Sequence, residues 1–227
     1  VHTVSYFSVD SLNDVETTKD TVPIKIDNTP PSAHFTNCPS GPVPIGSSMS
    51  ASWAASDPSP GSGLSTPSAG SVSLDTNTPG QHSVSTPAPQ DVAGNTGVAA
   101  TCVYTVQYGV KLLYKPPMTQ KSGSTVPIKL ELVDAHGTNL SSSGLAVQAL
   151  CVVPQGSTSC SSAPTGFTYS NQFFTFLASL DNGGGYQFNV KSTGLTIGHT
   201  YQLLFDVAGE SASTTHSDAL ATFTLTK

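Results

Sequence analysis

Short alternations of apolar and polar residues recur along the whole chain, and their period is that of β-strands. In "VHTVSYFSVDSLNDVE", Val1, Val4, Tyr6 and Val9 are interleaved with His2, Thr3, Ser5 and Ser8. Period two with β-branched and aromatic enrichment predicts a half-buried strand. Because the pattern is under way at Val1, the reading expects either further strands upstream or a partner for this edge elsewhere. Later runs of the same kind are "VPIKID", "STVPIKLELVD", "LAVQALCVV", "FFTFLASL", "GYQFNVKS", "YQLLFDVA" and "ALATFTLTK". Turn signals such as "SDPSPGSGL", "NTPGQ" and "DVAGN" separate them. Strands every 8 to 12 residues with such turns indicate β-sandwiches.

Two seams divide the pattern. Pro30 and Pro31 in "IDNTPPSAHF" close one strand and precede another; proline lacks the donor that a central strand needs. A second seam lies in "VYTVQYGVKLLY", where one strand ends around Gln107 and another begins after Gly109. The predicted organisation is a short segment 1–31, a sandwich over 32–107 and a C-terminal sandwich over 108–227. Segment 1–31 holds too few strands to bury a core alone. Two repetitions run through this scheme. "SVDSLNDVE" and "QDVAGNTG" each place an aspartate shortly before an Asn/Gly/Asp turn, and "TVPIKID" and "TVPIKLELVD" share a Val-Pro-Ile-Lys core.

Composition narrows the class. Only 10% of the 227 residues are charged, and all eight basic residues are lysine. Helical surfaces need more Glu, Lys, Arg, Ala and Leu than this. A net charge of −6 gives no basic patch with which to displace counterions from nucleic acid. No run reaches the roughly 20 apolar residues of a membrane helix, so neither nucleic acid nor membrane insertion is expected. Cys38, Cys102, Cys151 and Cys160 lack zinc-ligand spacing. Four cysteines in a Ser/Thr-rich β chain read as two disulfides in an oxidising compartment. Of the three pairings, Cys38–Cys102 and Cys151–Cys160 keep each bond inside one predicted sandwich.

"HTVSYFSVDSLNDVETTKDTVPIKIDNTPP" resembles the closing strands of bacterial extracellular Ig-like repeats, with Asn13-Asp14 where those repeats have Gly-Asn. Asn and Asp tolerate the left-handed conformation such a turn needs. Residues 32–107 are similar to the next such repeat, through "ASWAASDPSPGSGL" and "QDVAGNTG". Residues 114–227 resemble a C-terminal module of secreted bacterial proteins recognised by Lys-x-Gly-Ser-x-Val-Pro-x-Lys-Phe. Here "KSGSTVPIKL" has Leu130 in place of the phenylalanine, and the module's usual tryptophan is Val190. The resemblance implies an all-β chain of tandem Ig-like antiparallel sandwiches, located outside the cell or on its surface. It implies scaffolding more than any one ligand.

No residue constellation points to catalysis. None of His2, His34, His82, His136, His199 and His216 lies in a G-x-S-x-G or H-E-x-x-H context. Glu16, Glu131 and Glu210 are the only glutamates, and a glycosidase needs two carboxylates across a cleft. The expectation is that the chain is not an enzyme and needs no cofactor, with calcium as the one candidate ion. Asp57, Asp91 with Asn95, and Asp181 with Asn182 lie in Gly-rich or Pro-rich turns that offer the oxygens calcium prefers. Each also reads as a turn in which Asp or Asn bonds its own backbone, and none matches an EF-hand loop.

A glycan would need aromatic platforms. Trp53 in "ASWAAS" is expected to pack on the disulfide. Among Tyr169, Phe173, Phe174 and Phe176, the Phe174–Phe176 face reads as core. Lysine–asparagine crosslinks need a buried lysine, but Lys25 and Lys129 alternate with apolar neighbours and so face away from the core. The function expected is therefore a structural one: a stalk, spacer or filament-forming subunit whose partners are other copies or neighbouring modules. Strand addition through residues 1–30 is its sharper form. The competing reading is an adhesin or glycan-binding accessory module of a larger secreted hydrolase.

Overall fold

A computed structural model describes residues 2–16, 20–24, 26–181, 183–210 and 221–227. Lys25, Asn182 and His216, singled out above, lie outside these. The described chain is all β apart from one 3-10 turn at Cys160–Ser162. The strands are β1 (His2–Tyr6), β2 (Asp20–Ile24), β3 (Ser32–Phe35), β4 (Val43–Pro44), β5 (Ser50–Ser56), β6 (Ala69–Ser73), β7 (Gly80–Ser85) and β8 (Thr101–Gln107). They continue as β9 (Gly109–Leu112), β10 (Met118–Lys121), β11 (Thr125–Val133), β12 (Val147–Pro154), β13 (Thr168–Phe173), β14 (Thr175–Leu177), β15 (Gly185–Lys191), β16 (Thr200–Val207) and β17 (Thr222–Thr226). β8 ends at Gln107 and β9 starts at Gly109, the point where the apolar alternation pauses.

The chain forms two compact units. The first comprises Val1–Cys38, Ser50–Ser73 and Ser83–Cys102; the second comprises Pro39–Met49, Leu74–His82 and Val103–Lys227. In the first, β1 and β2 form an antiparallel pair, and β3, β5 and β6 form an antiparallel sheet. Trp53 of β5 is opposite Gly70 of β6, and a Cβ at position 70 would lie 2.8 Å from the indole. The glycine is what lets the ring lie flat across the neighbouring strand, leaving Trp53 only 7% exposed. A further three-stranded sheet has the order β4-β8-β7, with β4 parallel to β8; its β4 and most of its β8 belong to the second unit.

The second unit contains a β-sandwich. One sheet has the order β10-β17-β16-β12-β13, the other β14-β15-β11-β9. Alternate positions of β11 (Val126, Ile128, Leu130 and Leu132) are fully buried, as are Val147 and Ala149 of β12 and Phe205 of β16. These side chains belong to one continuous core, as period-two burial from two facing sheets requires. The stretch "FFTFLASL" is not the single strand predicted. The chain leaves β13 at Phe173 and enters β14 of the other sheet at Thr175, so Phe174 turns the corner. Phe174 and Phe176 pack on the core while Phe173 is 50% exposed. β10, which the sequence reading did not predict, pairs with a parallel strand, β17, more than 100 residues away.

Both disulfides are present. Cys38 is bonded to Cys102 of β8 within the first unit, and Cys151 of β12 to Cys160 within the second. No described cysteine is free.

Candidate functional site

The two repeated turns adopt one geometry. In the first, Asp10 Oδ1 accepts from the Leu12 and Asp14 amides, Asp10 N donates to Asp14 O, and Val9 bridges Val15. In the second, 81 positions later, Asp91 Oδ1 accepts from Asn95 N, Asp91 N donates to Asn95 O, and Gln90 bridges Thr96. Gly94 has φ +93° and Asn13, its counterpart, has φ +68°. Asparagine therefore takes the left-handed position that glycine fills in the other copy.

Only the second turn belongs to a convergent polar site. Asp27, Asp57 and Asp91 each offer a carboxylate oxygen, and these three atoms lie within 4.8 Å of one another. All three residues belong to the first unit. Asp57 directly follows β5. Asp91 is 2% exposed and bridges Leu64. Asp27 lies in the "IDNTPP" segment between β2 and β3 and was not singled out from the sequence, where it read as part of a linker.

Backbone amides hold the three carboxylates in place. Asp27 accepts from Thr29 N at 3.0 Å and Ser62 N at 2.7 Å. Those two bonds, Thr29 first, hold its carboxyl below the usual aspartate range. Asp57 Oδ2 accepts from Gly63 N at 2.7 Å. Its Oδ1 is buried and has no hydrogen-bond partner. A Cβ at Gly61 would collide with the Asp57 carboxylate and lie 2.6 Å from the Pro58 carbonyl, so glycine is required for the loop to close over that carboxylate. Asn95 Nδ2 donates to both Asp91 Oδ2 and Asp27 O, joining the linker segment to the turn.

Three carboxylate oxygens gathered this closely are the hard ligands that a divalent cation such as calcium takes.

Asp181 lies elsewhere. Its Oδ2 is 3.1 Å from Lys111 Nζ, and Lys111 Nζ is 3.0 Å from Glu131 Oε2. Glu131, opposite Lys111 in the β9–β11 register, is 2% exposed, and its Oε1 has no partner. The trio has the residue types of an amide crosslink, yet Lys111 is half exposed. Hydrogen bonds to Glu131 and then Asp181 raise its pKa, which favours the ammonium over the neutral amine a crosslink needs. The trio is an ion pair. Lys111→Met is expected to lower the urea midpoint by stranding a buried carboxylate, and Glu131→Gln beside it to recover most of the loss; equilibrium denaturation checks both.

A second electrostatic prediction concerns Asp134, whose Oδ1 accepts from His136 N and Thr138 N at 2.8 Å. The Thr138 amide, foremost among several causes, holds its carboxyl below the ordinary range. A depressed folded-state pKa contributes stability above the unfolded value of about 3.9, and that contribution is lost as pH falls through the folded value. Asp134→Ala is therefore expected to be less stable than the parent at pH 6 and to converge with it below roughly pH 3. Urea midpoints at the two pH values measure this.

No family model matches the chain, and no curated protein matches it. Among solved structures, similarity is found to the Escherichia coli protein FdeC, described as a broadly conserved adhesin eliciting protection against urinary tract infections. Identity is 13%, the match covers 92% of this chain and 68% of that one, and the TM-score is 0.34.

Proposed function

We propose that this chain is a non-catalytic extracellular structural module, a spacer or assembly unit whose sheets are held by oxidised cysteines. The observation that carries it is the pair of disulfides, Cys38–Cys102 and Cys151–Cys160, in an all-β chain. Such bonds persist where glutathione and thioredoxin do not reach. A surface poor in charge and rich in Ser and Thr suits a body that must avoid sticking. Tandem Ig-like modules over 32–107 and 108–227, preceded by segment 1–31, are the organisation proposed.

Assembly would proceed by strand addition through residues 1–30 to a second copy. Tyr6, Phe7, Val9, Leu12 and Val15 are each about half exposed or more, an apolar set that a partner would cover. Light scattering on the native chain and on a deletion of residues 1–30 tests this. Polymers lost on deletion support it, and unchanged assembly refutes it.

A second reading adds calcium at Asp27, Asp57 and Asp91, favoured by the buried, partnerless Asp57 Oδ1 among three carboxylates. An ion there would fasten the segment ahead of β3 to the loops after β5 and β7.

A further inference from the structure

A cleft of about 400 Å³ in the second unit opens between the two sheets of its sandwich, lined by Tyr169 and Gln172 of β13 and by Asn189 and Lys191 of β15. It arises from the corner at Phe174. β13 is the edge of its sheet, and β14 pairs with β15 only as far as Gln187. The last residues of β15 thus have no strand on that side, and two strand edges border the cleft. The Tyr169 ring is fixed edge-on against Phe188 at 5.2 Å, and its hydroxyl has no hydrogen-bond partner among the described residues. Thr165 and Thr193 also line it.

We infer that this cleft is a binding site for an acidic saccharide of monosaccharide size. The volume is that of a small-ligand site. A fixed aromatic ring, two amide side chains and two threonine hydroxyls beside two strand edges match a polyol, which offers both donors and acceptors around an apolar ring face. Lys191 decides the charge. It is the only ionisable side chain besides Tyr169 lining the cleft, no acidic residue lines it, and Lys191 forms no ion pair among the described residues. In a chain of net charge −6, a cleft whose only charge is positive selects a carboxylate-bearing sugar over a neutral one. The inference goes beyond the structural role proposed above and does not depend on it.

The test is an amide NMR titration of the full chain with glucuronate, glucose and acetate, each to about 10 mM, enough to detect millimolar affinity. Saturable shifts at Gly166, Gln172, Lys191 and Thr193 are expected with glucuronate. Glucose and acetate should each bind about tenfold more weakly, a difference of about 1.4 kcal/mol. Lys191→Gln, at an exposed position, should bring glucuronate down to the level of glucose. The inference is overturned if no saturable shift occurs at those amides, if acetate matches glucuronate, if glucose binds as well as glucuronate, or if Lys191→Gln changes nothing.

Discussion

Replacing Cys38 and Cys102 together by alanine is expected to lower the stability of the first unit by about 4 kcal/mol. The bond spans 64 residues of sequence, so its loss frees a long loop in the unfolded chain. It joins the segment just after β3 to the first residues of β8, holding an exposed position to a buried one: Cys102 is 2% exposed. The same replacement at Cys151 and Cys160, nine residues apart, is expected to cost about 2.5 kcal/mol, because the shorter loop loses less entropy when closed. Urea denaturation of both double variants measures the order. If the nine-residue bond proves the more valuable, loop entropy is not what these disulfides contribute, and residual structure in the unfolded chain has to be invoked instead.

Calcium bound among Asp27, Asp57 and Asp91 would give the second large effect. At roughly a hundredfold excess over the dissociation constant, an ion that binds only the folded chain stabilises it by about 2.7 kcal/mol. With an affinity in the 10⁻⁴ M range seen in extracellular modules, about 10 mM calcium reaches that excess. The decisive variant is Asp57→Asn, because its sign should reverse. Without ion, it removes one of three like charges gathered within 4.8 Å and should raise the melting temperature. With ion, it removes a ligand and should lower it. The amide oxygen can still accept from Gly63 N, so the loop keeps its main support. Calorimetry in EDTA and in calcium reads both signs; equal shifts in the two buffers would mean that no ion binds there. Magnesium should give a smaller rise, since it sheds its water reluctantly and demands near-ideal octahedral geometry.

The sheets were legible in the sequence because burial alternates strictly where one face meets the core. Val126, Ile128, Leu130 and Leu132 announce β11 without any tertiary information. β4 and β10 were not legible, since a strand of two or four residues carries too little period to stand out. The corner at Phe174 was hidden for a different reason: a strand that changes sheets keeps its alternation, so the pattern looks continuous. Within the candidate site, Asp57, Asp91 and Asn95 carried turn signals that also mark ion ligands. Asp27 carried none, because its contribution depends on the linker folding back toward residues that are distant in sequence. Asn95 Nδ2 donating to Asp27 O across 68 positions is that long-range step. Asp181 is the reverse case: its local sequence resembles an ion loop, but its carboxylate pairs with Lys111, which also pairs with Glu131.

The most direct measurement on the central proposal is a non-reducing peptide map of the native protein, recovered separately from inside and outside the cell. An extracellular structural module predicts that the protein is found outside, with one peptide pair linked through Cys38 and Cys102 and another through Cys151 and Cys160. Recovery from the cell interior with all four thiols free would contradict it.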